Sequence, residues 1–402
     1  MRKSYIVAAK RTAIGSFLGS LSSVHPRVMG SIVVKALLKE ANLSAENVDE
    51  LICGNVLSAG LGQNIARSIS LESGIPEEKC AHSINMVCGS GLRSVMEAVM
   101  SIQAGFNDVV VAGGVENMSM APYLIPANSR TGNKMGNFNV VDHMLYDSLT
   151  DATNNVHMGI TAENIAKKFN ISRLEQDEFA WNSLTKAINA VDNDVFKDEI
   201  VPIEVKIKKD TVVFAKDEHP NRKSSPEKLA SLKPAFLKEN GTVTAGNSSG
   251  INDGASFTLI VSEDAVAKYN LTPLCEIIGI GQGGVDPLYM GLGPVPAIRS
   301  ALKYASLKLN DIDLIELNEA FAAQSLGVIK SLVEEHKVDQ KSLMDKTNIN
   351  GGAIALGHPV GASGNRILVT LVHEMKKHNK KLGLASLCIG GGQGTAVIVK
   401  RS

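Results

Sequence analysis

The chain has 402 residues, more than one hydrophobic core usually serves, so two or three domains are expected. Lys+Arg and Asp+Glu balance at 41 each, which leaves no global attraction to nucleic acid or to an anionic membrane surface. Five cysteines without a CxxC pair argue against a secreted disulfide framework and against a zinc site, and reduced thiols point to a cytoplasmic protein.

The first apolar run ends at Lys10 and Arg11, too soon for the core of a signal peptide. No later apolar stretch is long enough to span a bilayer. Short apolar runs predict buried strands at residues 5–8, 50–52, 109–112, 314–317 and 396–399, because continuous apolar runs suit strands covered on both faces. Amphipathic patterns predict helices at 28–41, 92–104 and 295–306. The alternation indicates an α/β fold with helix-covered sheets. Residues 83–118 and 348–399 share a Gly-rich turn, a helix, a strand and a terminal glycine run, so two related halves are expected. The halves are placed at 1–118, completed by about 250–270, and at 271–402. Residues 119–249 are richer in Asn and charge and are read as an insertion, with one long helical pattern at 161–192 and a charged segment at 206–233.

Four short segments carry residues suited to chemistry. Cys88 lies in Val87-Cys88-Gly89-Ser90-Gly91, ahead of a helix of good formers. A helix N-terminus there favours a thiolate, and the glycines free N–H groups for an oxyanion. Asn318-Glu319-Ala320-Phe321 follows a strand, where α/β sheets collect ligands, although Asn318 also suits a helix N-cap. His358 lies in Gly357-His358-Pro359 among small residues that leave its ring unobstructed, and a helix over 365–377 is expected to follow. Cys388 ends a strand before Gly390-Gly391-Gly392, a sequence able to offer an anion nest. Together they supply a thiol nucleophile, a base, N–H donors and a second base for an α-proton.

In these four segments, and over nearly the whole chain, the sequence resembles the thiolase family. The resemblance implies the thiolase fold: two similar βαβαβαββ halves packed as a layered αβαβα core with an inserted loop domain. It implies that Cys88 accepts the acetyl group, that His358 activates Cys88, and that Cys388 moves the α-proton. Asn318 would position a water, and the Gly390 N–H would help hold the acyl oxygen. The pocket would be lined by Leu149, His157, Met158, Phe236, Ala245, Met290 and Phe321, with Ser249 on the pantetheine arm and Arg222 toward the nucleotide end. Arg130 and Lys134 would add positive charge near the phosphate. Met86 departs from the Lys often found there, without touching a catalytic role.

The implied partners are acetyl-CoA, acetoacetyl-CoA and CoA as substrates and products, with no separate cofactor and no metal. A homotetramer, a dimer of dimers, is implied as well. The implied activity is short-chain and biosynthetic, with longer-chain 3-ketoacyl-CoA cleavage as the alternative. A ketoacyl synthase has no need of Cys388, and a non-catalytic CoA- or lipid-binding protein has no need of two thiols and an imidazole in glycine frames.

Overall fold

The computed structural model describes residues 2–125, 127–207 and 209–401. Nine strands make the main path of its large sheet. They are β1 (Ser4–Thr12), β2 (Glu50–Gly54), β3 (Cys80–Ile84), β4 (Val109–Asn117), β5 (Asn252–Ser262), β6 (Cys275–Gly284), β7 (Leu314–Leu317), β8 (Leu382–Ile389) and β9 (Gln393–Lys400). Their order is β7-β8-β9-β6-β1-β5-β4-β2-β3.

The order contains one pattern twice. From β1 the sheet runs antiparallel to β5, antiparallel to β4 and parallel to β2. From β6 it runs antiparallel to β9, antiparallel to β8 and parallel to β7. The two halves join where Tyr5 pairs with Glu276 and Ile6 with Cys275.

The principal helices are α1 (Pro26–Ala41), α2 (Ile65–Glu72), α3 (Ser90–Gln103), α4 (Met158–Lys168), α5 (Arg173–Asp192), α6 (Pro294–Ala305), α7 (Ala322–His336) and α8 (Val360–Lys377). Leu92, Val95 and Val99 of α3 share one core cluster with Ile367, Leu368 and Leu371 of α8 and with residues of both half-sheets. These two helices are therefore the middle layer. Met29, Val33 and Leu37 of α1 cover the outer face of the first half-sheet. Ile298 of α6 and Val328 of α7 cover that of the second. All nine residues of β4 and all eleven of β5 are buried, as two-sided coverage requires.

Two local expectations are corrected. The pattern at 161–192 is two helices, because Asn170 takes a left-handed φ of 48° and Ser172 then opens α5 with a capping box to Glu175. The helix after His358 starts at Val360 rather than 365. Its small residues look like loop, but Gly361 and Gly364 pack against the start of α3. A Cβ on Gly91 would lie 2.8 Å from the Gly361 carbonyl, and one on Gly364 would lie 2.5 Å from the Leu92 nitrogen. Close backbone approach holds this turn helical. Strand β5 was not among the expected strands, and Asn252 and Asp253 at its start are wholly buried.

Candidate active site

Cys88 stands on a strained elbow between β3 and α3. Val87 has φ 46°, an outlier for a β-branched residue. The turn is tied on three sides. The Ser90 hydroxyl donates to the Val87 carbonyl at 2.6 Å, the Met86 N–H donates to Ser90 Oγ at 2.8 Å, and the Val87 N–H donates to Asn85 Oδ1 at 3.0 Å. Gly89 is required by close approach, since a Cβ there would lie 2.3 Å from Ile389 Cδ1. The strand that carries Cys388 thus presses directly on the Cys88 turn.

The backbone N–H groups of Gly390 and of Cys88 itself hydrogen-bond the Cys88 sulfur. Both draw its pKa down, but burial outweighs them and pushes the thiol up to about 11. The sequence-based expectation of a lowered thiol is corrected here: Cys88 lies just before the N-cap Gly89 of α3, and desolvation of the charged form dominates. A resting thiol at this site needs a base to deliver its proton to.

His358 is that kind of group. It is 6% exposed, and burial followed by the Arg366 charge lowers its pKa to about 4, so the imidazole is neutral. Its ring is buried, where the sequence suggested an open loop. Gly357, with φ 103°, delivers the backbone, and the His358 N–H donates to Asn252 Oδ1 at 2.9 Å. The Ser363 hydroxyl donates to the Pro359 carbonyl at 2.9 Å and lies 2.6 Å from His358 Nδ1. It therefore accepts from Nδ1–H, leaving Nε2 as the free acceptor. Ser363 was not singled out from sequence; a hydroxyl in the first turn after Gly-His-Pro was the available signal.

Asn318 follows β7 and is 1% exposed. Its Nδ2 lies 3.4 Å from His358 Nδ1, and its Oδ1 has no donor among the described residues. Cys388 is the penultimate residue of β8 and also 1% exposed. Burial pushes its thiol up, and a negative charge on Cys88 would push it further. Gly391 and Gly392, at φ 81° and 84°, complete the turn. Cys88 also shares a small apolar cluster with Leu149 and with Val360, two residues past His358.

The expected pocket residues form a graded path. Ala245 is exposed, while Leu149, His157, Phe236 and Ser249 are half-buried. Met158, Met290 and Phe321 are buried. His157 stacks on Phe236 at 4.7 Å, Phe236 meets Phe321 edge-on at 6.2 Å, and the Ser249 N–H donates to the Ala320 carbonyl at 2.9 Å. Met158 Sδ lies 3.5 Å from a Cβ built on Gly390, linking the path to the thiols. Next to it is a groove of about 160 Å³, lined by Ala245, Gly246, His219, Asn221, Ser224 and Leu229 among others. Sequence reasoning missed the last five of these. Arg222 is not among the lining residues; it makes a two-pronged pair with Asp192 at 2.7 and 2.8 Å. Arg130 and Lys134 are exposed.

The chain matches the family models for the thiolase N-terminal domain over residues 4–264 and the thiolase C-terminal domain over residues 271–401. It belongs to the thiolase family. An acetyl-CoA acetyltransferase of Escherichia coli is 53% identical over 401 residues, all of both chains. The solved acetyl-CoA acetyltransferase of Syntrophomonas wolfei superposes with a TM-score of 0.96 at 41% identity, covering all of both chains. The human mitochondrial 3-ketoacyl-CoA thiolase superposes with a TM-score of 0.93 at 45% identity, over 100% of this chain and 99% of that one. The α/β thiolase fold read from the sequence is therefore the fold of this chain. Among its described residues no helix is long and apolar enough to cross a membrane.

Proposed function

We propose that this thiolase is an acetyl-CoA C-acetyltransferase, joining two acetyl-CoA molecules to acetoacetyl-CoA and CoA, and cleaving acetoacetyl-CoA in reverse. The observation that carries the reading is the second thiol: Cys388 is buried and next to Ile389, which packs on Gly89 beside Cys88, in a site that also holds a neutral imidazole.

In the synthetic direction, His358 Nε2 takes the Cys88 proton and the sulfur attacks the acetyl-CoA thioester. The C–S bond to CoA breaks, and CoA leaves as a thiol with the proton that His358 took from Cys88. The N–H groups of Cys88 and Gly390, already directed at the sulfur, support an oxyanion at the attached acyl group. The freed His358 Nε2 takes the Cys388 proton, and the Cys388 thiolate takes a methyl proton from a second acetyl-CoA. The resulting enolate carbon attacks the acetyl-Cys88 carbonyl; the C–C bond forms, the C–S bond to Cys88 breaks, and the Cys88 thiolate recovers the proton held on His358. Asn318, and His358 while Nε2 holds that proton, would supply donors for the enolate oxygen of the second thioester. No step calls for a metal or a separate cofactor.

The graded path from Ala245 to Met290 supports a pantetheine tunnel, and the adjoining groove at Leu229 supports a place for the nucleotide end. Arg222 would have to leave Asp192 to reach a phosphate. Residues 119–249 are read as an insertion because the chain leaves β4 at Asn117 and returns in β5, which pairs with β4. Exposed apolar side chains at Tyr123, Ile125, Met135 and Phe138 support the expected homotetramer.

The similarity to a 3-ketoacyl-CoA thiolase favours a second reading, cleavage of longer ketoacyl chains. The deciding assay is thiolysis of acetoacetyl-CoA and of a longer 3-ketoacyl-CoA by free CoA. Fast loss of acetoacetyl-CoA alone supports the short-chain reading. Equal rates move the enzyme to the degradative class, and no turnover of either overturns both readings.

A further inference from the structure

Glu116 lies near the end of β4 and is completely buried. Its carboxylate is gripped by four nitrogen donors. Oε1 accepts from Asn55 Nδ2 at 3.0 Å and from the Leu57 N–H at 3.1 Å. Oε2 accepts from the Val56 N–H at 3.0 Å and from the Gly361 N–H at 3.0 Å. No cationic side chain pairs with it among the described residues, and Asp253 adds a like charge nearby. A buried carboxylate without a counter-ion is costly unless its lone pairs are filled, and here donors fill them from two separate parts of the chain.

Three of the donors belong to the loop after β2, in the half that carries Cys88. The fourth belongs to the first turn of α8, three residues past His358. The carboxylate therefore bolts the two halves together where the start of α8 packs on the start of α3. The surrounding packing leaves no slack. A Cβ on Gly114 would lie 2.0 Å from the Gly361 carbonyl, and one on Gly361 itself would lie 2.6 Å from Glu116 Oε2.

We propose that Glu116 is a positioning residue for catalysis: by holding the Gly361 N–H it fixes the start of α8, and so sets His358 against Cys88. What that pairing accomplishes rests on the acyl-transfer reading above; the pairing itself can be measured without turnover.

The test compares Glu116→Gln and Glu116→Asp in the full-length protein, each with His358 intact and with His358→Ala. Cys80, the exposed cysteine, is replaced by Ser throughout. Two quantities are read: kcat and KM for acetoacetyl-CoA thiolysis, and the rate of Cys88 alkylation by iodoacetamide at pH 7, located by peptide mass spectrometry. Thermal melts verify that each variant is folded. With His358 present, both Glu116 variants lower kcat by about tenfold or more with KM within about twofold, and alkylation slows in parallel. The Gln amide turns donors toward donors, and the Asp carboxylate is one methylene too short. With His358 removed, the same substitutions give no further slowing. Wild-type alkylation in both variants, or equal slowing in both backgrounds, overturns the proposal. If the Gln variant fails to fold, the charge-preserving Asp variant decides. Absence of thiolysis in the parent protein removes the functional reading while the alkylation comparison still judges the positioning.

Discussion

His358 Nδ1 and Ser363 Oγ are 2.6 Å apart, and the serine hydroxyl is already committed as a donor to the Pro359 carbonyl. The imidazole is thereby held in the tautomer that leaves Nε2 free. Ser363→Ala removes the acceptor and leaves a buried N–H unpaired. The expected outcome is a fall in kcat of about 10- to 100-fold with KM nearly unchanged, read from steady-state thiolysis. A variant with wild-type kcat would mean that the Ser363 bond does not set the working tautomer.

The two thiols should separate into two half-reactions. Cys388→Ala is expected to accept an acetyl group from acetyl-CoA on Cys88, yet to form no acetoacetyl-CoA. Cys88→Ser should fail at the first step. Intact-protein mass spectrometry after mixing with acetyl-CoA distinguishes them, and an unacetylated Cys388→Ala protein would assign Cys388 to acylation instead.

Gly159 sits under the Phe236 ring, and a Cβ there would meet Phe236 Cδ2 at 2.3 Å. Gly159→Ala should push Phe236 off His157 and distort the proposed tunnel. Overpacking of this kind costs about 1–3 kcal/mol, so KM for CoA substrates should rise on the order of tenfold, with a smaller change in kcat. Unchanged KM would place the pantetheine arm elsewhere.

His82, on strand β3, lies 3.0 Å from Glu50 Oε1 and 3.3 Å from Glu97 Oε2. Hydrogen bonds to these carboxylates raise its pKa from 6.5 to about 9. The stabilisation is fully present below pH 6.5 and is lost as pH climbs through about 9. Because its side chain is 44% exposed, the effect should stay under about 1 kcal/mol. Melting temperatures of wild type and His82→Gln, taken from pH 6 to 10, should converge at the alkaline end. A constant gap across that range would show that the ion pairs contribute nothing.

The strand 314–317 was legible because a short apolar run between polar flanks has few alternatives, and its bounds match the structure. Strand β5 was not read, because Asn252, Asp253, Ser256 and Thr258 look like surface residues until their partners are known. Those partners are remote: Thr258 bonds the Ala112 carbonyl, and Ser256 bonds Asn365. The same limit hid Glu116 and Glu319. Glu319 accepts from Ser183 at 2.6 Å and from Asn348 at 2.9 Å, residues far apart in the chain. The glycine-framed thiols and imidazole were visible because the need for bare backbone is written locally. The protonation of Cys88 was misread because burial is a property of the whole fold.

Cys88 precedes α3 and His358 precedes α8, and these helices occupy equivalent places in the two repeats of the sheet order. The proposed centre is thus divided between twin modules: one carries Cys88, the other carries His358 and Cys388. Neither module holds all three groups. A chain cut between them would therefore regain the proposed chemistry only by reassembly.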